Sequence, residues 1–343
     1  MTTGPVQVSV FGKTDVGRTR DHNEDTFLVA DLTSRLASLQ PEVRDHAVGA
    51  RGSLFVVADG MGGAAAGEVA SRMAADLIFG HLTTVWGEDQ APTANRFAYR
   101  MKEAVELANN RIHSHAKEHP DVRGMGTTAT VAGVFGPDLY LAQVGDSRAY
   151  LVRQSQITQI TKDQSLMQRL VEAGELTEEE AEHSERRNII LQALGPDPRV
   201  KVDLTWQPLR RGDLLVLCSD GLSGQVRKEE IAQIASEAPS LLELCARLID
   251  LANTRGGPDN ITAVAVRFTG DGLSEPDGAT AVGHQVYPLS EGESTTEPVP
   301  VYTGSPAPVP VHPDHPGHPH RILFGVLLLL ALAAALFRLL AGH

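Results

Sequence analysis

Twice the chain runs an apolar strand into an Asp-Gly pair. Leu54-Phe55-Val56-Val57-Ala58-Asp59-Gly60 and Leu214-Leu215-Val216-Leu217-Cys218-Ser219-Asp220-Gly221 are each apolar almost throughout and end on a carboxylate. A strand without a polar face lies in the middle of a sheet covered on both sides, so it carries its terminal acid to a partly buried place. An isolated carboxylate there is costly, or has its pKa pushed up, unless a cation answers it. Asp-Gly is also a common turn dipeptide, so one copy alone says little.

Four more acids shift the balance. Gly145-Asp146-Ser147-Arg148 joins two predicted strands, and Gly256-Gly257-Pro258-Asp259-Asn260 stands directly before another. Asn23-Glu24-Asp25 opens a strand near the N-terminus. Neighbouring strand residues point to opposite faces, so Glu24 and Asp25 cannot both face one ion. One is expected as a ligand and the other as its support. Acids at several strand ends, without a His or Cys ligand pattern, suit hard cations such as Mg²⁺ or Mn²⁺. Two such ions about 3.5–4 Å apart would activate a bridging water. That chemistry suits phosphate esters, whose uncatalysed hydrolysis is among the slowest of reactions. Arg18 and Arg20, just ahead of the acidic pair, offer guanidinium forks that match phosphate oxygens.

Composition narrows the partners. Forty-three acids against 30 bases leave a net charge of −13, which argues against nucleic acid as a partner. Cys218 and Cys245 sit in apolar runs and are expected as buried reduced thiols rather than a disulfide or a zinc site. The first 25 residues lack the basic start and apolar stretch of a secretory signal, which points to an intracellular chain.

Strands are expected at 7–11, 25–30, 54–58, 127–135, 139–144, 148–152, 214–219 and 261–268, with helices at 69–82, 97–115 and through most of 229–253. Phe97, Met101, Val105, Ala108 and Ile112 form one apolar stripe, and Thr177 with Glu180 reads as a capping box. The regular βαβ alternation of a parallel sheet is missing, so antiparallel sheets covered by helices are expected. Residues 31–52 read as a surface insertion. Ten of the chain's twenty prolines fall within 271–320, in a stretch poor in apolar content that reads as a disordered, Pro-rich tether. A tract at 312–320 carries His312, His315, His318 and His320 between prolines and reads as solvated. Residues 322–337 are apolar throughout, and with Arg338 snorkelling the span extends to Gly342. The expected organisation is a domain at 1–270, a linker at 271–320 and a C-terminal transmembrane anchor at 321–343. The location expected is the cell membrane, single-pass, with the catalytic domain cytoplasmic.

Six strings together resemble the metal-dependent Ser/Thr protein phosphatases, the PPM or type 2C family, in their bacterial form. They are Arg20-x-x-Asn23-Glu24-Asp25, Val57-Ala58-Asp59-Gly60-Met61-Gly62-Gly63, Gly126-Thr127-Thr128, Gly145-Asp146-Ser147-Arg148, Ser219-Asp220-Gly221 and Asp259-Asn260-Ile261-Thr262. The resemblance spans nearly all of residues 5–268 and implies an α+β fold, a four-layer α/β/β/α sandwich of two antiparallel sheets flanked by helices. It implies that Asp59 bridges two Mn²⁺ or Mg²⁺ ions, helped by the Gly60 carbonyl, with Asp220 and Asp259 completing one site. Glu24 would face the second ion with Asp25 behind it, and Asp146 with Asp220 would bind a third, weaker one. Arg20 would grip the substrate phosphate, and Asn260 would position a neighbouring carboxylate or water. The implied reaction is direct attack of water on phosphoserine or phosphothreonine in phosphoproteins, opposing a Ser/Thr kinase. A pseudophosphatase acting as a membrane-tethered docking or sensing module, and a hydrolase of small phosphate esters, are the alternatives. The chain departs from relatives at Met61, where many eukaryotic members carry His, and at Gln164, where bacterial members often carry His. Gln164 opens the flap of the family, expected here at about 163–194, while His22 reads as a solvated turn residue.

Overall fold

A computed structural model describes residues 4–289, apart from 185 and 279. The N-terminal half runs β1 (Gln7–Asp15), β2 (Asp25–Asp31), β3 (Leu36–Ser38), β4 (Arg44–Ala47), β5 (Ser53–Met61), α1 (Ala64–His81) and α2 (Ala94–Glu118). Then come β6 (Gly126–Thr127), β7 (Ala129–Phe135), β8 (Asp138–Val144), β9 (Arg148–Arg153) and β10 (Gln156–Gln159). The short helices α3 (Leu166–Glu172) and α4 (Glu178–Glu182) precede β11 (Asp203–Pro208) and β12 (Leu214–Cys218). The helices α5 (Asp220–Ser223), α6 (Lys228–Glu237) and α7 (Leu241–Thr254) lead to β13 (Ile261–Thr269).

One sheet has the order β10-β9-β12-β13-β1-β4 and the other β11-β8-β7-β5-β2-β3, with β6 also paired to β5. Every pairing of these strands is antiparallel. The period of two along each strand sorts the apolar side chains into layers. On β5, Phe55 and Val57 face the opposite sheet, while Leu54, Val56 and Ala58 face α1 and α2. On β12, Leu215 and Leu217 face the opposite sheet, while Leu214, Val216 and Cys218 pack under α6 and α7. Three buried apolar layers therefore alternate with four layers of structure, which is the α/β/β/α sandwich expected from the resemblance. Cys218 and Cys245 are free and buried, and burial pushes each thiol up to about 12.

Capping accounts for several helix starts. Thr93 accepts from the Arg96 backbone at α2, Ser240 from Glu243 at α7, and Thr177 with Glu180 forms the anticipated capping box at α4. The stripe from Phe97 to Ile112 is fully buried. The stretch 229–253 divides into α6 and α7, and the expected strand 127–135 is interrupted at Thr128. The helix expected at 69–82 begins five residues earlier, at the end of the Met61-Gly62-Gly63 loop.

Two organisational expectations change. The insertion at 31–52 supplies both β3, on the edge of one sheet, and β4, on the edge of the other. Nor is the segment after β13 wholly a disordered linker, because residues 271–289 lie back on the domain. Leu273 is buried, Val282 packs between the sheets, and Tyr287 and Leu289 pack on the layer beneath α1 and α2. The Trp206 amide donates to Gln285 O at 3.0 Å, and the Tyr287 amide to Leu204 O at 2.9 Å. The Arg210 guanidinium holds Asp277 at 3.3 Å and Thr280 at 2.7 Å. The reason is the open edge of β11, whose backbone groups need partners, met by apolar residues spaced through an otherwise polar segment. The domain therefore extends past residue 270. The rest of the linker, the histidine tract and the anchor lie outside the described residues. Among the described residues, no helix is long and apolar enough to cross a membrane.

Leu273→Ala should cost about 2–5 kcal/mol in urea denaturation, the range for truncating a buried leucine. A chain ending at 270 should unfold at lower urea than one ending at 290. Equal midpoints for those two chains would mean that the segment adds nothing to the domain.

Candidate active site

The antiparallel registers bring the acidic strand ends to one end of the sandwich. Asp25, the first residue of β2, stands directly across from Asp59 near the end of β5. Both share the parity of the residues that face the opposite sheet, Phe27 and Val29 on β2 and Phe55 and Val57 on β5. From the other sheet, Ser219 continues the inward row of Leu215 and Leu217, and Thr262 that of Val264 and Val266. These rows meet at Asp25. Its Oδ2 accepts from the Ser219 hydroxyl and from the Thr262 hydroxyl, both at 2.7 Å. Its Oδ1 is buried without a partner.

Glu24 has the opposite parity and turns toward α1. A Cβ on Gly67 of α1 would stand 1.9 Å from Glu24 Oε2, so only glycine lets the carboxylate sit against that helix. Gly62 and Gly63 take φ of 116° and 95° in the turn that starts α1, a region that disfavours other residues. Asn260 ties the N-terminal loop to β13. Its Oδ1 accepts from the Glu24 amide at 2.8 Å, and its Nδ2 donates to Val16 O and His22 O, each at 2.9 Å.

Asp59 is fixed through its backbone. Its amide donates to Thr128 Oγ1 at 3.0 Å, and its carbonyl accepts from the Thr127 hydroxyl at 2.9 Å and the Thr128 amide at 2.8 Å. Thr128 Oγ1 in turn meets Ser147 Oγ at 2.8 Å, which links Asp59 to the turn carrying Asp146. Arg20 is half-exposed at the rim, with Nη2 2.8 Å from Asp259 Oδ2. The Arg18 amide donates to Gly257 O at 2.8 Å, while its side chain is exposed, as is His22. Met61 is also exposed.

The electrostatics show how crowded these acids are. Burial first, then Asp25, Asp220, Asp146 and Asp259, pushes Asp59 well above the usual carboxylate range. Burial, then Asp259, raises Asp220, against a hydrogen bond to Asp59 that lowers it. Burial raises Asp25 to about 7 despite its two hydroxyl donors, and burial followed by Asp220 raises Asp146 to about 7. Glu24 is raised by burial, with Arg20 opposing.

Among the described residues, no three acids, imidazoles or thiols form a finished ligand set; Asp259 is engaged by Arg20 and Asp220 by Asp59. The donor chemistry nevertheless fits hard divalent cations. The crowded groups are all carboxylates, and Asp25 Oδ1 and Asp146 Oδ1 are buried oxygens without a partner. Dense negative charge of this kind is relieved by cations.

Each acid singled out in the sequence is thus at this end of the sandwich, with Glu24 on the α1 side and Asp146 reached through Ser147. Not anticipated were the supporting roles of Ser219, Thr262, Thr128, Ser147 and Gln143. Gln143 Nε2 donates to Gly145 O at 3.3 Å and to Ser147 O at 3.1 Å. Counting by twos along each strand puts Ser219 and Thr262 on the inward face, but only the register between distant strands sets them against Asp25.

In EDTA, stability should depend on pH with a defined sign. The folded pKa values of Asp25 and Asp146, about 7, lie above the ordinary 3.8. Stability from the protonated carboxyls is therefore complete below about pH 4 and lost as the pH rises through about 7. Each tenfold difference in proton affinity between the folded and unfolded chain is worth roughly 1.4 kcal/mol. The urea midpoint should fall over that window, and Asp25→Asn should flatten part of the fall. A midpoint that rises from pH 4 to 7 would contradict the crowding.

Comparison with known proteins agrees with this geometry. The family described as protein phosphatase 2C matches residues 40–262. The serine/threonine phosphatase stp of Listeria monocytogenes serovar 1/2a is 38% identical over 255 residues, covering 74% of this chain and 93% of that protein. The serine/threonine protein phosphatase PstP of Mycobacterium tuberculosis H37Rv is 42% identical over 220 residues, covering 64% of this chain and 41% of that protein. The crystal structure of the M. tuberculosis phosphatase PstP/Ppp aligns with a TM-score of 0.64 at 35% identity, covering 78% of this chain and all of that one. The catalytic domain of PstP in complex with two manganese ions aligns with a TM-score of 0.62 at 34% identity, covering 77% and 99%. With the motifs, the two-sheet fold and the matched span in agreement, this chain belongs to the protein phosphatase 2C family.

Proposed function

We propose that this chain is a metal-dependent phosphatase of phosphoserine and phosphothreonine in proteins. The observation that carries the reading is the convergence of Asp59, Asp220, Asp146, Asp259 and Glu24 at one end of the sandwich, beside a half-exposed arginine. The manganese-containing relative supports Mn²⁺, two ions per site, with Mg²⁺ as the other candidate. When bound, such cations supply an activated water and offset charge on the phosphoryl oxygens.

The chain's own residues do the holding and orienting. Asp59, Asp220, Asp259, Glu24 and the Gly60 carbonyl would hold the two ions, and Asp146 with Asp220 a third. Asp25, pinned by Ser219 and Thr262, and Asn260, pinned to Val16 and His22, keep the ligating groups in place. Arg20 is tethered to Asp259 through Nη2, which leaves the rest of its fork to bind the substrate phosphate and aim it at the acids. Met61 has no proton to give, so it takes no part in protonating the leaving alkoxide.

The apolar stretch 322–337 supports a further reading, in which the catalytic domain is held at the cytoplasmic face of the cell membrane and opposes a Ser/Thr kinase there.

The full chain assayed on a phosphothreonine peptide should release phosphate with Mn²⁺ or Mg²⁺ and none in EDTA. Asp220→Asn should lower turnover more than about 100-fold, beyond the 10–100-fold typical of losing a supporting partner. Metal-independent release, or full activity of that variant, would defeat the assignment. For the anchor, the full chain should sediment with membranes and a chain ending at 320 should stay in the supernatant. Equal partitioning of the two would remove the anchor from the reading.

A further inference from the structure

Asp146 Oδ1 has no protein partner, so the position of this carboxylate is set by the backbone of the turn that carries it. Gly145, at φ 103°, begins that turn. A Cβ there would stand 2.7 Å from Thr128, so the turn is packed on one side against the link between β6 and β7. On its other side is Gln164, near the start of the long excursion between β10 and β11. All four hydrogen-bonding groups of Gln164 are used there. Its amide donates to Gly145 O at 2.9 Å, and its Oε1 accepts from the Gly145 amide at 3.0 Å. Its carbonyl accepts from the Leu191 amide at 2.7 Å, and its Nε2 donates to Lys201 O at 3.1 Å. The start of the excursion and two points in its later part, Leu191 and Lys201, therefore meet on one residue, and that residue also grips the Asp146 turn. Asp163 reinforces the join through Arg148, whose Nε lies 3.0 Å and Nη2 2.7 Å from Asp163 Oδ2. Gln143 also braces the turn, but it bonds to the turn and to the Lys162 amide and not to the excursion's far end.

We infer that Gln164 is a positioning residue whose side chain ties the excursion at 165–201 to the Asp146 turn, so that the two move as one body. The inference rests on the phosphatase reading for its functional consequence, and on these four bonds for its structural one. The excursion's bridge between Ser165 and Ile190 carries Ile189 and Leu191, which are exposed. Freed from the turn, that surface would be held only from its far side, by Leu194 on Thr127 and by Gly195 and Asp197 on Asn109, and its position relative to the carboxylates would be less fixed. A protein substrate spans both, whereas a small aryl phosphate needs only the carboxylates and Arg20. Loss of the tie should accordingly weaken phosphopeptide recognition more than turnover.

Two variants of the full chain test this, assayed with Mn²⁺ on a phosphothreonine peptide and on p-nitrophenyl phosphate. Gln164→Met keeps the shape and removes both side-chain hydrogen bonds. Gln164→His restores one acceptor and one donor nitrogen. Gln164→Met should raise the peptide KM about tenfold, the effect of one to two ordinary hydrogen bonds, and change kcat on the aryl ester less than about threefold. It should also speed amide exchange at Gly145 and Leu191 together, and Gln164→His should reverse both changes in large part. The inference is overturned if exchange and KM match the parent, or if exchange rises throughout the chain while KM and kcat shift alike on both substrates. A parent chain inactive on both substrates would instead defeat the phosphatase reading, and the paired exchange at Gly145 and Leu191 would still decide the tie.

Discussion

Carboxylates crowded at one end of the space between two sheets are the constraint on which the rest of this structure depends. Like charges in a partly buried place repel, and burial adds its own penalty. The protein answers with hydroxyl donors from Ser219 and Thr262 to Asp25, with Thr128 and Asn260 accepting from the Asp59 and Glu24 amides, and with guanidinium charge from Arg20 and Arg148. These contacts place the acids without neutralising them. The result is a crowded negative site whose donor chemistry suits divalent cations.

The apolar layers make such a site tolerable. Three buried clusters lie along the sandwich, one between the sheets and one under each pair of helices. The middle layer is apolar for most of its length and gathers its carboxylates at the end where β2 and β13 begin and β5 and β12 finish, while a buried Arg153–Asp213 pair closes the other end. Antiparallel pairing produces that end, because the start of one strand lies beside the finish of its neighbour. The same inward parity that packs Val57 against Leu217 carries Asp59 and Ser219 two residues further into the mouth. Scaffold and site are therefore one pattern read at two depths.

The periphery is built on other terms. Residues 31–52 close one edge of each sheet, and residues 271–289 cover the edge of β11. The excursion after β10 is joined to the domain at two places, through Gln164 and Asp163 at its start and through Leu194, Gly195 and Asp197 on Thr127 and Asn109 near its end. Segments with few buried contacts are where a shared catalytic fold can vary without disturbing its carboxylates.

From the sequence alone came the acids, their strand-end setting, the preference for hard cations and the two-sheet class. Each follows from local pattern: apolar runs fix strands, and a terminal Asp-Gly fixes where a carboxylate lies along them. Hydroxyl support was not legible in Ser219 or Thr262, since their meaning depends on the register between strands far apart in the chain. The division between Glu24 and Asp25 was half legible. Alternation separated them, but only the packing of Gly67 against Glu24 and of Ser219 against Asp25 decided which faced α1 and which the opposite sheet. Low apolar content made residues 271–289 read as a tether. Tertiary structure decided otherwise, because an open sheet edge supplies backbone partners that composition does not register. Local sequence thus determined which groups meet the chemistry, and long-range register determined what holds them there.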